Sequence, residues 1–395
     1  MPMRPCWVEI STRALEENYR YLETLAPRDA ELLAIVKADA YGHGLTICVS
    51  AFARSGAGWL GVTSVEEGVA ARTVCPGARI LVIGSVFPGQ AAAVIEHRLT
   101  PVVWERWQFD ELEAACRAAA AGPNSIPFHL ELDTGMNRQG LALDDRSAGL
   151  ESVLAHFSAA SPLRLEGVMT HLYAADEADG AATGEQLARL DRALVRIGEL
   201  GHWAEYLNVG NSAALLAGQG GTIVDVAASH GMKALLRPGL ALYGLAPRFE
   251  PEEPAAVTAA RGRLRPALTW RSRVVGVRRA AAGATVGYNG TFVVAEPMQL
   301  ALVALGYADG LDRRLGNCFS LLVRGERAPI VGRISMDQTV LDVTEIAGVE
   351  PGAEVVVIGQ QGEQAITAYD HADACGTIPW EVFTRISARV KRRAV

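Results

Sequence analysis

The sequence has little that a disulfide-stapled, membrane-spanning or nucleic-acid-binding protein would need. Six cysteines are scattered through 395 residues as Cys6, Cys48, Cys75, Cys116, Cys318 and Cys375, with no C-x-x-C pair among them. That excludes a disulfide framework or a closely spaced zinc site and reads as reduced thiols in a cytoplasmic protein. No apolar run reaches the roughly 18 residues of a membrane span. Met1 to Cys6 lack a charged segment followed by a long apolar stretch, so no secretory signal is visible. Positive charge is never concentrated: 37 Lys and Arg face 44 Asp and Glu, for a net charge of −7. Phosphate backbones demand clustered basic residues, so nucleic acid is not the expected partner. The short basic tail from Arg389 to Arg393 reads as a solvated terminus. There is no internal repeat, and low complexity is limited to alanine runs such as Ala118–Ala121.

What the chain does have is apolar mass. Half of its residues are apolar, enough for a large core divided over two domains. Short apolar runs alternate with Ala/Leu-rich helical stretches: Leu32–Lys37, Trp59–Thr63, Ile80–Gly84, Pro101–Trp104, Pro127–Leu132, Leu165–Thr170, Tyr206–Gly210 and Ala234–Arg237. Eight such strands with helices between them predict an α/β fold, a (β/α)8 TIM-type barrel over residues 11–247. Ser64-Val65-Glu66-Glu67 is a capping box, and Gln186 to Leu200 carries leucines at helical spacing up to the stop at Gly201. Residues 248–266, rich in Pro, Glu and Ala, read as a linker. Beyond it, closely spaced strands and turn signals predict a mostly-β C-terminal domain over residues 267–395. Residues 1–10, with the run Trp7-Val8-Glu9-Ile10, are expected to pair with that domain. Asn289-Gly290 is a hairpin signal, although Asn289-Gly290-Thr291 also matches a glycosylation sequon.

In such a barrel, reactive groups gather where strands end and loops begin. Lys37 ends the first run and enters Ala38-Asp39-Ala40-Tyr41-Gly42-His43-Gly44. Burial lowers a lysine's pKa and frees its amine for Schiff-base chemistry, although a strand-end lysine can also snorkel to solvent. Asp133 to Arg138 follows the fifth strand, His171 the sixth, Asn211-Ser212 the seventh and Arg237-Pro238-Gly239 the eighth. One polar residue at a strand end is ordinary; five sets at equivalent positions are a pattern.

The segments AIVKADAYGHG, ELDTGMNRQG, EGVMTHL, GNSAAL and RPGLALYG resemble, in order, the barrel motifs of alanine racemases. LGYADG and VGRISMDQ resemble that family's remaining signatures. The resemblance spans nearly the whole chain and implies a pyridoxal 5'-phosphate (PLP) enzyme interconverting L- and D-alanine by two bases, supplying D-alanine for peptidoglycan. It assigns Lys37 to the cofactor and to one proton transfer, and Tyr307 to the other. Racemisation exchanges a proton between two faces, so two groups must flank the ring. A tyrosine base needs a cationic neighbourhood, part of which His171 would supply. Arg237 would face the pyridine nitrogen, where an always-charged guanidinium disfavours protonation. Tyr41, Asn211, Ser212, Gly239 and Leu240 would hold the cofactor, mainly its phosphate. Arg138 would contact the cofactor's phenolic oxygen and, with Met336 and Asp337, the substrate carboxylate. The resemblance also implies a homodimer in which Tyr307, Met336 and Asp337 act in trans. No metal is called for.

Two positions depart from the family pattern. Glu131 stands where many members carry a carbamylated lysine that supports the arginine at position 138; a glutamate keeps the negative charge and is expected to pair with Arg138. Trp380 stands where a tyrosine usually touches the phosphate. Indole donates one hydrogen bond and accepts none, so Trp380 is assigned only to the substrate channel. Rival readings are a racemase of serine or other small amino acids, a non-catalytic PLP-carrier barrel, and a PLP decarboxylase.

Overall fold

The computed structural model describes residues 4–143, 149–155 and 161–395. Among them, Arg13–Ala40 and the described part of Cys48–Arg265 form one compact unit, and Arg4–Thr12, Tyr41–Ile47 and Pro266–Val395 form a second. In the first, eight parallel strands close into a barrel: Ala30–Ile35, Trp59–Val62, Arg79–Val82, Thr100–Val103, Ile126–Asp133, Leu163–Met169, Tyr206–Asn208 and Lys233–Leu236. Closure comes from Thr100–Val103, which pairs with both Arg79–Val82 and Ile126–Asp133. Strands covered on both faces read as continuous apolar runs, and Trp59–Val62 and Thr100–Val103 are buried at every residue. The outer helices follow their 3.6-residue period; Ala181–Glu199 turns Leu187, Leu190, Leu194 and Ile197 inward.

One strand pair is irregular. Phe128 sits opposite Leu165 and His129 opposite Gly167, so Glu166 is an extra, bulged residue. A bulge redirects the side chain it carries, and Glu166 is buried.

The segment expected as a linker contains a helix, Ala255–Arg263, within the barrel unit. Four alanines give it high helix propensity, Pro254 caps it, and Arg261 ties it to Glu253 and to the carbonyls of Ala246 and Pro247.

The second unit is built on Leu268–Ala280, which runs antiparallel to Cys6–Ile10, Met298–Val303 and Glu354–Gln361. Cys6–Ile10 also pairs in parallel with Lys391–Ala394, so both ends of the chain lie in one sheet. The basic tail is therefore not a solvated terminus. Arg392 donates to the carbonyls of Gly42, Ile386, Ser387 and Val390, and Arg389 reaches Asp309 and Asp337. Asn289 and Gly290 take positive φ in the turn joining the paired segments Thr285–Val286 and Phe292–Val293. No helix among the described residues is long and apolar enough to cross a membrane.

Candidate active site

The first barrel strand ends at Ile35, and Lys37 opens a turn of left-handed backbone. Ala38, Asp39, Ala40 and Tyr41 all have φ between 53° and 56°, a conformation that costs residues with a Cβ roughly 1–2 kcal/mol each. Glu67 holds the turn. Its Oε1 accepts from the amides of Ala38 at 2.6 Å and Asp39 at 3.4 Å, while Oε2 accepts from Thr63 at 2.9 Å. The expected capping box is thus half formed: Ser64 caps Glu67 N–H, but the Glu67 carboxylate serves the lysine loop. Burial lowers the Lys37 pKa, and the charges of Arg138 and Arg237 push the same way, against Glu67.

Arg237, just past the eighth strand, is buried with a guanidinium among neutral acceptors. It donates to Asn208 O and Oδ1, each at 2.5 Å, to Thr170 O at 2.8 Å and to His171 Nδ1 at 3.0 Å. No carboxylate is within ion-pair distance among the described residues, and burial lowers its pKa to about 10, opposed by Glu131. Arginine has no acceptor, so His171 Nδ1 is the lone-pair nitrogen and Nε2 carries the hydrogen. Burial, then the charges of Arg237, Arg138 and Lys37, push His171 down to about 3. His171 is therefore neutral and supplies no cationic field, contrary to expectation. Its backbone is pinned by Gln186, which donates to His171 O and to Thr134 Oγ1, itself 2.8 Å from Thr170 Oγ1.

At the seventh strand, Asn211 caps the helix Ser212–Leu216 by accepting from Ala214 N–H. Ser212 Oγ in turn accepts from the amides of Gly239 and Ala241, at 2.9 and 3.2 Å. Ser212, Gly239 and Leu240 thus meet at the start of the short helix Leu240–Tyr243.

The expected pairing of Glu131 with Arg138 is not formed. The Glu131 carboxylate accepts from Gln139 Nε2 at 2.6 Å, whereas Arg138 is exposed. Asn137, at φ +54°, turns the loop, and Asp133 caps the loop through Gly135 and Asn137 N–H. Burial pushes Glu131 up to about 7, against the hydrogen bond from Gln139 and the charges of Arg237 and Arg138.

Tyr41 lies in the second unit, buried, with its phenol raised to about 12 by burial. Tyr307, Met336, Asp337 and Trp380 also lie there. Tyr307 is 42 % exposed and Met336 53 %. The tyrosine loop and the Met336 loop are laced together: Tyr307 N–H donates to Ser335 O, and Ala308 N–H to Met336 O. A Cβ on Gly306 would fall 2.3 Å from both Ser335 O and Met336 O, so only glycine permits this approach. Asp309, fully buried, accepts from Gly306 N–H, Arg4 and Arg389, and the two arginines also hold Asp337. Trp380 is half-buried on the helix Pro379–Thr384. Sequence reasoning missed Glu67 and Gln139 as supports within the barrel unit and Asp309 and Arg389 as supports of the Tyr307 loop; Gln139 and Asp309 lie inside quoted motifs, whereas nothing local marks Glu67 or Arg389.

A parallel barrel with a lysine of lowered pKa just past a strand end, together with a buried arginine and a histidine of lowered pKa, is the framework of an enzyme. The profile for "Alanine racemase, N-terminal domain" matches residues 10–247, and that for "Alanine racemase, C-terminal domain" residues 267–394. The chain is similar to an alanine racemase of Symbiobacterium thermophilum, 38 % identical over 393 residues, 99 % of this chain and 97 % of the relative. The alanine racemase structure from Bacillus anthracis with bound L-Ala-P superposes with a TM-score of 0.86 at 31 % identity, covering 100 % of this chain and 96 % of that one. The Bartonella henselae alanine racemase structure with covalently bound pyridoxal phosphate does so with a TM-score of 0.82 at 25 % identity, covering 99 % of each. The chain belongs to the alanine racemase family.

Proposed function

We propose that this protein interconverts L- and D-alanine with pyridoxal phosphate, Lys37 and Tyr307 moving the Cα proton on opposite faces. The observation that carries the reading is Lys37, with its lowered pKa, near a buried Arg237 that has no carboxylate partner among the described residues. The donor set fits the cofactor. A depressed lysine amine suits an aldehyde, a hydroxyl with neighbouring backbone amides at Ser212 and Gly239–Leu240 suits a phosphate, and a guanidinium suits a ring nitrogen that stays unprotonated. When bound, pyridoxal phosphate supplies the electron-withdrawing ring that acidifies the Cα–H of an attached amino acid. Arg237 orients that ring nitrogen, and Asn211 sets Ser212 by capping its helix. Tyr41 is assigned to the phosphate, and Arg138 to the phenolic oxygen and the substrate carboxylate, with Met336 and Asp337. His171 hands its Nε2–H to the tyrosine side of the site. Trp380 shapes the way in for substrate. D-alanine for peptidoglycan is the product role.

The active unit is a homodimer in which Tyr307 of the partner subunit serves Lys37, an arrangement supported by the exposure of Tyr288, Tyr307, Met336 and Ile378. Mixing tests it. Lys37→Ala and Tyr307→Ala proteins, each inactive, should regain up to about a quarter of wild-type activity after joint refolding, because a two-fold hybrid rebuilds one intact site. No recovery, with hybrids demonstrably formed, contradicts action in trans. Borohydride reduction followed by peptide mapping should place the cofactor label on Lys37, one of three lysines in the chain, and chiral analysis should show each enantiomer converted to the other.

A further inference from the structure

We infer that Asn208, His129 and Glu166 form a polarised relay that positions the Arg237 guanidinium. The inference rests on the reading of Arg237 as the partner of the cofactor's ring nitrogen. Arg237 is a buried cation surrounded by neutral acceptors, and such a charge is costly unless compensated. Its contact with Asn208 Oδ1 decides how that amide lies: the oxygen faces the arginine and the nitrogen faces His129 Nδ1, 3.3 Å away. An amide nitrogen can only donate, so His129 Nδ1 accepts and Nε2 carries the hydrogen. That hydrogen faces Glu166 Oε2 at 3.7 Å, a charge–dipole contact rather than a hydrogen bond, and neither atom has a hydrogen-bond partner among the described residues. Every donor along Arg237, Asn208 and His129 therefore points the same way, from cation to anion, and each link polarises the next.

Two backbone features bring these groups together. The bulge at Glu166 turns its carboxylate inward. Gly167 leaves room for the imidazole, since a Cβ there would sit 2.5 Å from the His129 ring. Burial works to raise the Glu166 pKa, but contact with His129 and the charges of Arg79 and Arg164, each at 2.7 Å, hold it down to about 2. Burial lowers the His129 pKa, against the neighbouring Glu166 carboxylate. Glu166, His129 and Asn208 are positioning residues; none is proposed to touch substrate.

The test uses 15N-histidine-labelled full-length protein, stripped of and then loaded with pyridoxal phosphate, together with Asn208→Asp and Glu166→Gln. Long-range 1H–15N spectra should show wild-type His129 as the Nε2–H tautomer with or without cofactor. Asn208→Asp keeps an acceptor for Arg237 but removes the donor to His129, so the imidazole should move its hydrogen to Nδ1 or become protonated. In the loaded protein, both variants should shift the visible band of the cofactor and lower kcat about tenfold, the size of one lost charge-assisted hydrogen bond, with KM changed less than about twofold. A merely structural role would lower Tm and leave the band in place. An Nδ1–H tautomer in the wild type overturns the relay, as does an unchanged band in both variants of a protein that binds cofactor and racemises alanine. A wild type that takes up no pyridoxal phosphate overturns the functional reading, and the relay with it.

Discussion

Removing the Glu67 carboxylate should open the left-handed turn beside Lys37. Four residues with a Cβ hold φ between 53° and 56°, which at roughly 1–2 kcal/mol each stores about 4–8 kcal/mol of strain. Against it stand two short charge-assisted hydrogen bonds to Ala38 and Thr63 N–H and a longer one to Asp39. Such bonds contribute about 1.5–3 kcal/mol each when shielded. Ala38, Asp39 and Thr63 are exposed, and water replaces part of the loss, so Glu67→Ala should cost about 2–3 kcal/mol in denaturant unfolding. Native-state hydrogen exchange should lose protection first at the Ala40 amide, which bonds Val36 O within the turn. Adding Ala38→Gly to Glu67→Ala should recover about 1 kcal/mol, because glycine enters this region without penalty but brings its own entropy cost. A loss below about 0.5 kcal/mol, or no recovery from glycine, refutes the assignment of Glu67 as the support of a strained turn.

Other perturbations follow from the same geometry. Glu131 has a folded pKa raised to about 7, so the folded state binds the extra proton between its unfolded value and 7, and this carboxyl's contribution to stability falls as pH rises through that window. Glu131→Gln should flatten that dependence, by on the order of 3 kcal/mol across the window, as read from unfolding curves at pH 4.5 and 8; parallel curves for the two proteins would count against it. Gly306→Ala should displace the Tyr307 loop from Ser335 O and Met336 O and reduce turnover at least a hundredfold, roughly a 3 kcal/mol loss of positioning; near-normal turnover would show that the loop yields easily. Asp309→Asn should strip the buried anion from Arg4 and Arg389 and cost about 3–5 kcal/mol of stability, measurable by thermal and urea unfolding. A change within 1 kcal/mol would mean the arginines find other partners.

The barrel was legible because parallel strands covered on both faces must be apolar throughout, and runs such as Trp59–Val62 are. Motifs also single out Lys37 and Tyr307, and Lys37 lies just past the first barrel strand. The left-handed turn was not, since Ala38, Asp39 and Ala40 carry no glycine signal and the carboxylate that holds them is nearly thirty residues away. The basic tail misled for a related reason: its composition reads as solvated, while the strand it pairs with is Cys6–Ile10 at the other end of the chain. Glu131 and Arg138 are close in sequence, but a positive φ at Asn137 lets Gln139, not Arg138, reach the carboxylate. The charge state of His171 depended on burial and on Arg237, neither of which local sequence displays.

The most direct test is Cα–H exchange in heavy water, followed separately for each enantiomer of alanine in cofactor-loaded Lys37→Ala and Tyr307→Ala proteins. Two bases on opposite faces predict opposite selectivity: the Tyr307 variant keeps exchange of D-alanine and loses that of L-alanine, and the Lys37 variant does the reverse. Equal loss of both exchanges in both variants, with cofactor still bound, would contradict a division of labour between the amine and the phenol.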